Sequence, residues 1–276
     1  MTKSILITGC SSGIGYDAAH GLKRAGWRVF ATCRQQQDVE RLRAEGLESI
    51  RLDYADETSL QETLDWVLQQ TGGTLDALYN NGAFACPGAA EDLPRDALRE
   101  IFEVNLFGYH DLTRRVIPVM RAQGHGHIIN CSSVLGLVVA PWRAAYNTTK
   151  FALEGLTDTL RIEMRDTNIQ IVLLEPGPVT SDIRANSVPH FEKWIDWENS
   201  SRAEQYRANL IPRLYAKKEG KDPFELPASA VTAKLLKILN TPNPRPRYYV
   251  TTATYIMGTL RRILPARALD AILARG

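Results

Sequence analysis

The sequence lacks a long apolar run and a charge excess, and each absence removes a class of protein. No uninterrupted apolar run reaches the ~18 residues that a membrane-spanning helix needs, and we expect no signal peptide before the first strand. The 33 basic and 31 acidic residues leave a net charge of only +2, so no nucleic-acid partner is expected. The 276 residues are enough for one large core.

Cysteine is also scarce, and no two of the four cysteines form a C-x-x-C pair. Three of them lie in or next to apolar, strand-like segments. This placement is typical of reduced thiols in a core and not of a disulfide framework or a metal site. We therefore expect a cytoplasmic protein without a metal ion. The four residues are Cys10, Cys33, Cys86 and Cys131.

Seven short apolar segments alternate with helical patterns along the chain. This alternation predicts an α/β fold, a single-domain Rossmann-type doubly wound parallel sheet of about seven strands with helices on both faces. No repeat, low-complexity segment or linker divides residues 1–276. The predicted strands are 4–8, 27–32, 48–52, 75–79, 126–131, 169–174 and 247–250, and the clearest helices are 13–25, 96–121 and 146–165.

Residues 178–227 interrupt the alternation with six aromatic residues among many polar ones. Such an insertion after a late strand can close over an apolar ligand, and we predict a substrate lid here. Two surface helices with their aromatics in the core would give the same pattern. The segment has few charges placed for a phosphate or a dicarboxylate, so we expect an apolar substrate.

Residues 251–276 form a predicted basic amphipathic tail. Ile256, Leu260 and Ile263 share a helical face beside Arg261 and Arg262. Such a face suits an anionic membrane surface, which predicts a peripheral membrane contact. Docking of the same face on the core or on a partner subunit is the alternative.

A glycine-rich turn links the first predicted strand to the first helix. Residues 8–15 read Thr-Gly-Cys-Ser-Ser-Gly-Ile-Gly. The glycines permit a sharp turn and a close approach to a pyrophosphate, whose charge then meets the free N–H groups of the helix start. A plain strand-to-helix turn would not need three glycines and two hydroxyls together. The segment therefore predicts a dinucleotide site.

The end of the second strand distinguishes the two nicotinamide dinucleotides. Folds that bind NAD often place an acid there to hold the ribose 2′-hydroxyl. Cys33 takes that position, and Arg34 follows it, available to a 2′-phosphate unless it is only a solvated loop cation. We predict NADP(H) in preference to NAD(H), with Asp53 at the adenine end.

Tyr146 and Lys150 are four residues apart on a predicted helix. That spacing places their Cβ atoms roughly 5–6 Å apart on one face. A nearby ammonium favours the phenolate, so we expect Lys150 to lower the pKa of Tyr146 from the usual ~10. A tyrosine of this kind is suited to give or take a proton near neutral pH.

In the order of these motifs the chain resembles the short-chain dehydrogenase/reductase family over roughly residues 3–185. Residues 80–83, Asn-Asn-Gly-Ala, resemble the Asn-Asn-Ala-Gly stretch of the family, and Ser133 lies at the family spacing before Tyr146. The glycine turn and the end of the second strand are similar to those of the hydroxysteroid and retinol dehydrogenase-like members. Two departures are the reversed Gly82-Ala83 pair and Ser181, where the family usually has threonine.

The resemblance implies hydride transfer between a nicotinamide and a carbonyl or alcohol carbon. Together with the aromatic insertion it implies an apolar carbonyl substrate such as a long-chain or aromatic aldehyde, a retinoid or a steroid. Tyr146 would then protonate the carbonyl oxygen while Ser133 hydrogen-bonds it. Lys150 would also bind the nicotinamide ribose, and Asn105 would hold a water that links Lys150 to solvent. The plain alternatives are a capping role for Ser133 and a backbone-bonding role for Asn105.

The implied cofactor site draws on several parts of the chain, and the family also implies a homodimer or homotetramer. The two rival functions are a non-catalytic NADP(H) sensor or scaffold on the same fold, and a nucleotide-sugar epimerase-type enzyme. Epimerases usually open with Gly-x-x-Gly-x-x-Gly, which this chain lacks. The implied cofactor contacts are Gly9, Ser11, Ser12, Gly13, Ile14, Gly15, Arg34, Asp53, Asn80, Gly82, Tyr146, Lys150, Pro176, Gly177, Val179 and Ser181.

Overall fold

A computed structural model describes residues 2–216, 220 and 222–274. Its centre is one seven-stranded sheet in the order β3-β2-β1-β4-β5-β6-β7, with every neighbouring pair parallel. This confirms the predicted doubly wound sheet. The strands are β1 (Ser4–Ile7), β2 (Arg28–Cys33), β3 (Glu48–Arg51), β4 (Ala77–Asn80), β5 (Gly126–Cys131), β6 (Ile169–Glu175) and β7 (Arg247–Tyr249).

Helices cover both faces of the sheet. Along the first half of the chain they are α1 (Gly13–Arg24), α2 (Gln36–Ala44), α3 (Glu57–Thr71), α4 (Arg95–Phe102), α5 (Gly108–Gln123) and α6 (Ala144–Glu163). The later helices are α7 (Ile183–Trp194), α8 (Ala203–Gln205), α9 (Ile211–Tyr215), α10 (Ser229–Leu239), α11 (Thr252–Ile263) and α12 (Ala266–Leu273). Among the described residues, no helix combines the length and the apolar character that crossing a membrane would require.

The alternation of side chains along each strand divides the core between the two faces. Ile5 and Ile7 of β1 point into a cluster that α1, α2 and α10 complete. Leu6 points the other way, into a cluster built with α3, α5 and α6. Because both faces are covered, β1 is apolar at successive positions, which is why it is recognisable in the sequence.

The predicted helix 96–121 is interrupted by a π-helical turn, Glu103–Phe107, between α4 and α5. Such single turns often occur at functional sites, because they redirect one side chain without ending the helix. The side chain redirected here is the buried Asn105.

The insertion 178–227 contains α7, α8, a π-helical turn (Tyr206–Leu210) and α9. Phe191 and Tyr206 are buried in a third apolar cluster against Phe84, outside the sheet. Tyr215 and Phe224 remain 50% and 55% exposed. Aromatics of the insertion therefore build a small core of their own, while the segment also borders the cavity described below. Its role as a substrate lid stays a prediction.

The tail is attached at both ends and exposed between them. Thr251, Thr254 and Leu269 are buried. Ile256 and Ile263 are 41% and 67% exposed, so the apolar face predicted for this helix is only partly covered by the core.

Arg247 fastens β7 to its neighbours. Its guanidinium donates to the carboxylates of Glu175 on β6, at 2.7 Å, and of Asp158 on α6, at 2.5 Å, and also to Glu154. Glu175 is fully buried. Burial, followed by the negative charge of Glu154, raises the pKa of Glu175 to about 8.

This buried acid should give the free energy of unfolding a particular pH dependence. The pKa of Glu175 rises from 4.5 to about 8, so the folded chain keeps a proton that the unfolded chain releases. The associated stability is complete below the unfolded pKa and is lost as the pH rises through the folded one. We expect the midpoint of urea unfolding to fall as the pH rises from about 4.5 to about 8, and Glu175→Gln to flatten that fall.

A matched control is Glu163→Gln, which removes an exposed glutamate at the end of α6. It should keep the wild-type slope. Equal slopes in wild type and Glu175→Gln would contradict the assignment of the pH dependence to this acid.

Candidate active site

A large cavity opens at the carboxyl edge of the sheet, beside the point where β1 and β4 adjoin. Crossovers change direction there, and open α/β sheets bind their ligands at such points. The cavity has a volume of about 1860 Å³. Pockets for drug-sized ligands are ~300–1,000 Å³, so this one has room for a dinucleotide and a second molecule.

Most of the predicted site residues lie in the wall of this one cavity. The exceptions are Gly15, Asn80 and Asn105, which lie behind it. The residues in the wall are Gly9, Ser11, Ser12, Gly13, Ile14, Arg34, Asp53, Gly82, Ser133, Tyr146, Lys150, Pro176, Gly177, Val179 and Ser181.

The glycine turn is held tightly against the end of β4. Gly9 has a positive φ of 69°, and a Cβ atom on it would overlap Gly82. A Cβ atom on Gly15 would overlap the carbonyl of Gly9, which explains a glycine that lines no cavity. No side chain caps the start of α1, and its first turn has no acid. The N–H groups there are therefore available to an anion such as a pyrophosphate, which fits the predicted cofactor.

Asn80 lies below the cavity and not in its wall. It is fully buried, and its amide is bonded to Tyr54 at 2.7 Å, Asn130 at 2.9 Å and Thr113 at 3.0 Å. The predicted direct contact between Asn80 and the cofactor does not agree with this position. Asn81, which sequence reasoning did not select, lines the cavity instead.

Lys150, on α6, is a buried cation that lies against the end of β5. It is 1% exposed, and its Nζ donates to the carbonyl of Cys131 at 2.7 Å. The same atom lies 5.4 Å from the ring centroid of Tyr146 and 5.5 Å from that of Tyr109. Burial lowers the pKa of Lys150.

The prediction that the pKa of Tyr146 is lowered is wrong: in the protein alone this pKa is raised. Burial and, after it, the Cys131 thiol raise the pKa of this phenol. The opposing effects are a hydrogen bond from Ser133 and the positive charge of Arg143. Tyr146 is therefore a protonated donor at neutral pH, and the cation that favours its ionisation is Arg143.

Ser133 has the capping role that the sequence allowed, while its hydrogen bond to a substrate carbonyl stays a prediction. Its Oγ accepts the N–H of Leu135 at 3.1 Å, which caps the short 3₁₀ turn after β5. The Ser133 hydroxyl also acts to lower the pKa of Tyr146. Capping restricts the rotamer of Ser133 in the wall of the cavity.

Asn105 bonds the backbone, as the plain alternative held. Its Nδ2 donates to the Phe84 carbonyl at 2.9 Å, and its Oδ1 accepts the Phe84 N–H at 3.1 Å. The amide thereby fixes the wall segment that begins at Phe84, and it reaches Thr149 at 3.4 Å. The water link from Asn105 to Lys150 stays a prediction.

The segment after β6 forms the opposite wall. The carbonyl of Pro176 accepts the N–H of Val134 at 2.8 Å, which ties this wall to the Ser133 turn. The hydroxyl of Thr180 donates to Glu225 at 2.7 Å. The hydroxyl of Ser181 has no partner within the described residues, so of these two hydroxyls it is the one free for a ligand.

Arg34 is exposed and makes no ion pair or hydrogen bond with any residue that the structure describes. Asp38 lines the same part of the cavity, and its carboxylate accepts a hydrogen bond from Arg41 at 2.9 Å. Asp53 also lines the cavity, with an oxygen 3.7 Å from a nitrogen of Arg51. Arg34 is thus without a partner among the described residues in this part of the wall.

Three further arginines that sequence reasoning missed line the other end of the cavity, beyond Tyr146: Arg143, Arg184 and Arg213. The expectation of few positioned charges in the insertion is therefore wrong, since two of the three belong to it. Only Arg143 had a signal in the sequence, because it precedes Tyr146 by three residues.

Comparisons with known proteins point to one family. The family model described as "short chain dehydrogenase" matches residues 3–191. The chain is 36% identical to the uncharacterized oxidoreductase YbbO of Escherichia coli over 273 residues, 99% of this chain and 94% of that protein. It is 35% identical to human retinol dehydrogenase 8 over 191 residues, 65% and 60% of the two chains.

Among solved structures, a short-chain dehydrogenase/reductase of Burkholderia phymatum in complex with NAD superposes with a TM-score of 0.78 at 25% identity. The match covers 99% of this chain and 95% of that one.

Proposed function

The chain belongs to the short-chain dehydrogenase/reductase family, and from that premise we propose an NADP(H)-dependent oxidoreductase of apolar aldehydes or ketones and the corresponding alcohols. The observation that carries the proposal is the shared wall of Ser133, Tyr146 and Lys150 opposite the glycine turn. A non-catalytic sensor would not need a buried cation beside a protonated phenol, because such a pair is costly to fold.

The proposed chemistry divides between cofactor and protein. When bound, the nicotinamide supplies or accepts the hydride. Tyr146 donates its phenolic proton to the carbonyl oxygen, while the Ser133 hydroxyl stabilises the negative charge that develops there. The positive charge of Arg143 then favours the resulting phenolate, while the Lys150 ammonium beside the ring would bind the nicotinamide ribose. In alcohol oxidation the same groups act in reverse.

The proposed cofactor contacts follow from the wall. The start of α1 would hold the pyrophosphate, and Pro176, Val179 and Ser181 would border the nicotinamide. NADP(H) is proposed over NAD(H) because Arg34 has no protein partner within the described residues and Cys33 takes the place of the acid that binds the 2′-hydroxyl.

We expect Tyr146→Phe to lower kcat by ~10²–10⁴-fold, the usual contribution of a general acid. NADPH binding should change little, because the ring and the Lys150 contact remain. The measurement is NADPH consumption with a panel of long-chain aldehydes, aromatic aldehydes, retinals and ketosteroids, together with NADPH affinity by fluorescence. Tyr255→Phe, an exposed tyrosine of α11, is the control. Wild-type turnover in Tyr146→Phe would contradict the proposed donor.

Cofactor choice should depend on Arg34. Arg34→Ala is expected to lower kcat/KM for NADPH by roughly tenfold or more, the worth of a charge-assisted hydrogen bond, and to affect NADH much less. Arg24→Ala, at the far end of α1, removes another exposed arginine and should change neither value. A similar loss with NADH and NADPH in Arg34→Ala would count against the assignment.

We also propose that the tail contacts an anionic membrane surface, on the strength of the exposed Ile256 and Ile263 beside Arg261 and Arg262. The protein should pellet with phosphatidylserine-containing vesicles, and the double variant Ile256→Ser, Ile263→Ser should pellet less. Ile162→Ser, an exposed isoleucine of α6, is the control. Equal pelleting of all three proteins would end the membrane proposal.

The cytoplasmic location and a homodimer or homotetramer stay predictions. Light scattering would test the oligomeric state.

A further inference from the structure

The cavity beyond Tyr146 combines apolar walls with cations that the reaction does not use. Apolar or aromatic side chains line it from three segments, represented by Leu135, Trp142 and Leu210. Between them lie Arg143, Arg184 and Arg213. An apolar substrate alone would give no reason for charged groups here, since burying a cation without a partner is unfavourable.

Arg143 is the most constrained of the three cations. It precedes the first residue of α6, and its side chain makes no hydrogen bond or ion pair within the part of the chain that the structure describes. Burial, followed by the positive charges of Arg213 and Arg184, lowers its pKa to about 10. At neutral pH Arg143 therefore remains charged, partly buried and without an anion.

The acids in this wall do not neutralise the charge of Arg143. Asp222 lies 3.5 Å from Arg184 and pairs with that arginine. Asp182 also lines the cavity but makes no ion pair within the described chain. Arg213, which is exposed, likewise has no ion-pair partner among the described residues. Arg143 and Arg213 thus repel each other across a space that a ligand anion would fill.

The charge is also close to the reacting group. Arg143 lies immediately before α6, three residues before Tyr146, and its charge acts to lower the pKa of the phenol. A ligand bound to Arg143 would therefore lie next to the carbonyl position. The guanidinium offers several donors in one plane, a geometry that matches the oxygens of a carboxylate or phosphate.

We propose that the natural substrate of this site has an apolar body and an anionic oxygen group, a carboxylate or a phosphate, which Arg143 binds with Arg213. This inference rests on the proposed function, and it narrows the substrate from any apolar carbonyl compound to an amphiphilic one. The arginines select the substrate, and Tyr146 carries out the proton transfer.

The test compares three long-chain aldehydes of equal length in NADPH-dependent reduction. One ends in a carboxylate, one in its methyl ester and one in a phosphate. The wild type should prefer the carboxylate or the phosphate over the ester by roughly tenfold or more in kcat/KM, the effect of a charge-assisted hydrogen bond. The better of the two anions identifies the group. If kcat/KM for the ester equals that for both anions, the inference is wrong and the proposed function is unaffected.

Variants assign the preference to the arginines. Arg143→Met should abolish most of it, with a smaller loss on the ester, and Arg143→Lys should restore part of it. Arg213→Met, at an exposed position that folding should tolerate, should also reduce the preference. Arg165→Met, an exposed arginine just past the other end of α6, should change nothing. An Arg143→Met variant that keeps the anion preference but has a raised KM for NADPH would show that the cation serves the cofactor, contrary to the inference.

A binding measurement separates this inference from the proposed reaction. Isothermal titration calorimetry would compare a saturated fatty acid with its methyl ester, neither of which has a reducible aldehyde or ketone. Tighter binding of the acid to wild type, lost in Arg213→Met, supports the anion site even if no aldehyde is reduced. Equal binding of acid and ester contradicts the anion site whatever the turnover.

Discussion

The burial of the Lys150 ammonium is the constraint on which the candidate active site depends. A charge that is 1% exposed must have compensating partners, and here the Cys131 carbonyl and two aromatic rings provide them. This requirement fixes α6 against the end of β5 and so fixes Tyr146 one turn away. It also explains the two pKa directions. Burial makes the lysine easier to deprotonate and the tyrosine harder, so the phenol keeps its proton until a substrate oxygen can accept it.

Buried polar side chains also fix the other segments at the carboxyl edge of the sheet relative to Lys150 and Tyr146. Thr8 Oγ1 accepts the N–H groups of Asn81 and Gly82 at 2.9 and 3.1 Å, and this positions the glycine turn against β4. Tyr54 bonds both Thr8, at 2.8 Å, and Asn80, at 2.7 Å. Because the polar groups of Thr8, Tyr54 and Asn80 already have partners, these residues support the cavity wall rigidly.

The sequence was sufficient to predict the sheet. The central strands, such as β1, are apolar on both faces, and this pattern distinguishes them from the helices. It was less informative about which neighbours face the cavity. The fourth strand ends at Asn80, one residue later than predicted, and the alternation of side chains then buries Asn80 while Asn81 reaches the wall. The π-helical turn at Asn105 left no trace in the periodicity. Arg213 reaches the cavity only through the fold of the insertion, so no local pattern could have revealed it.

The central claim is that Tyr146 gives its proton to the carbonyl oxygen as hydride arrives. Kinetic isotope effects on aldehyde reduction test this most directly, with deuterated NADPH and with deuterium oxide as solvent, separately and together. The account predicts an isotope effect from each, with the solvent effect retained when the hydride is deuterated and absent in Tyr146→Phe. A solvent isotope effect of the same size in Tyr146→Phe and wild type would contradict the account.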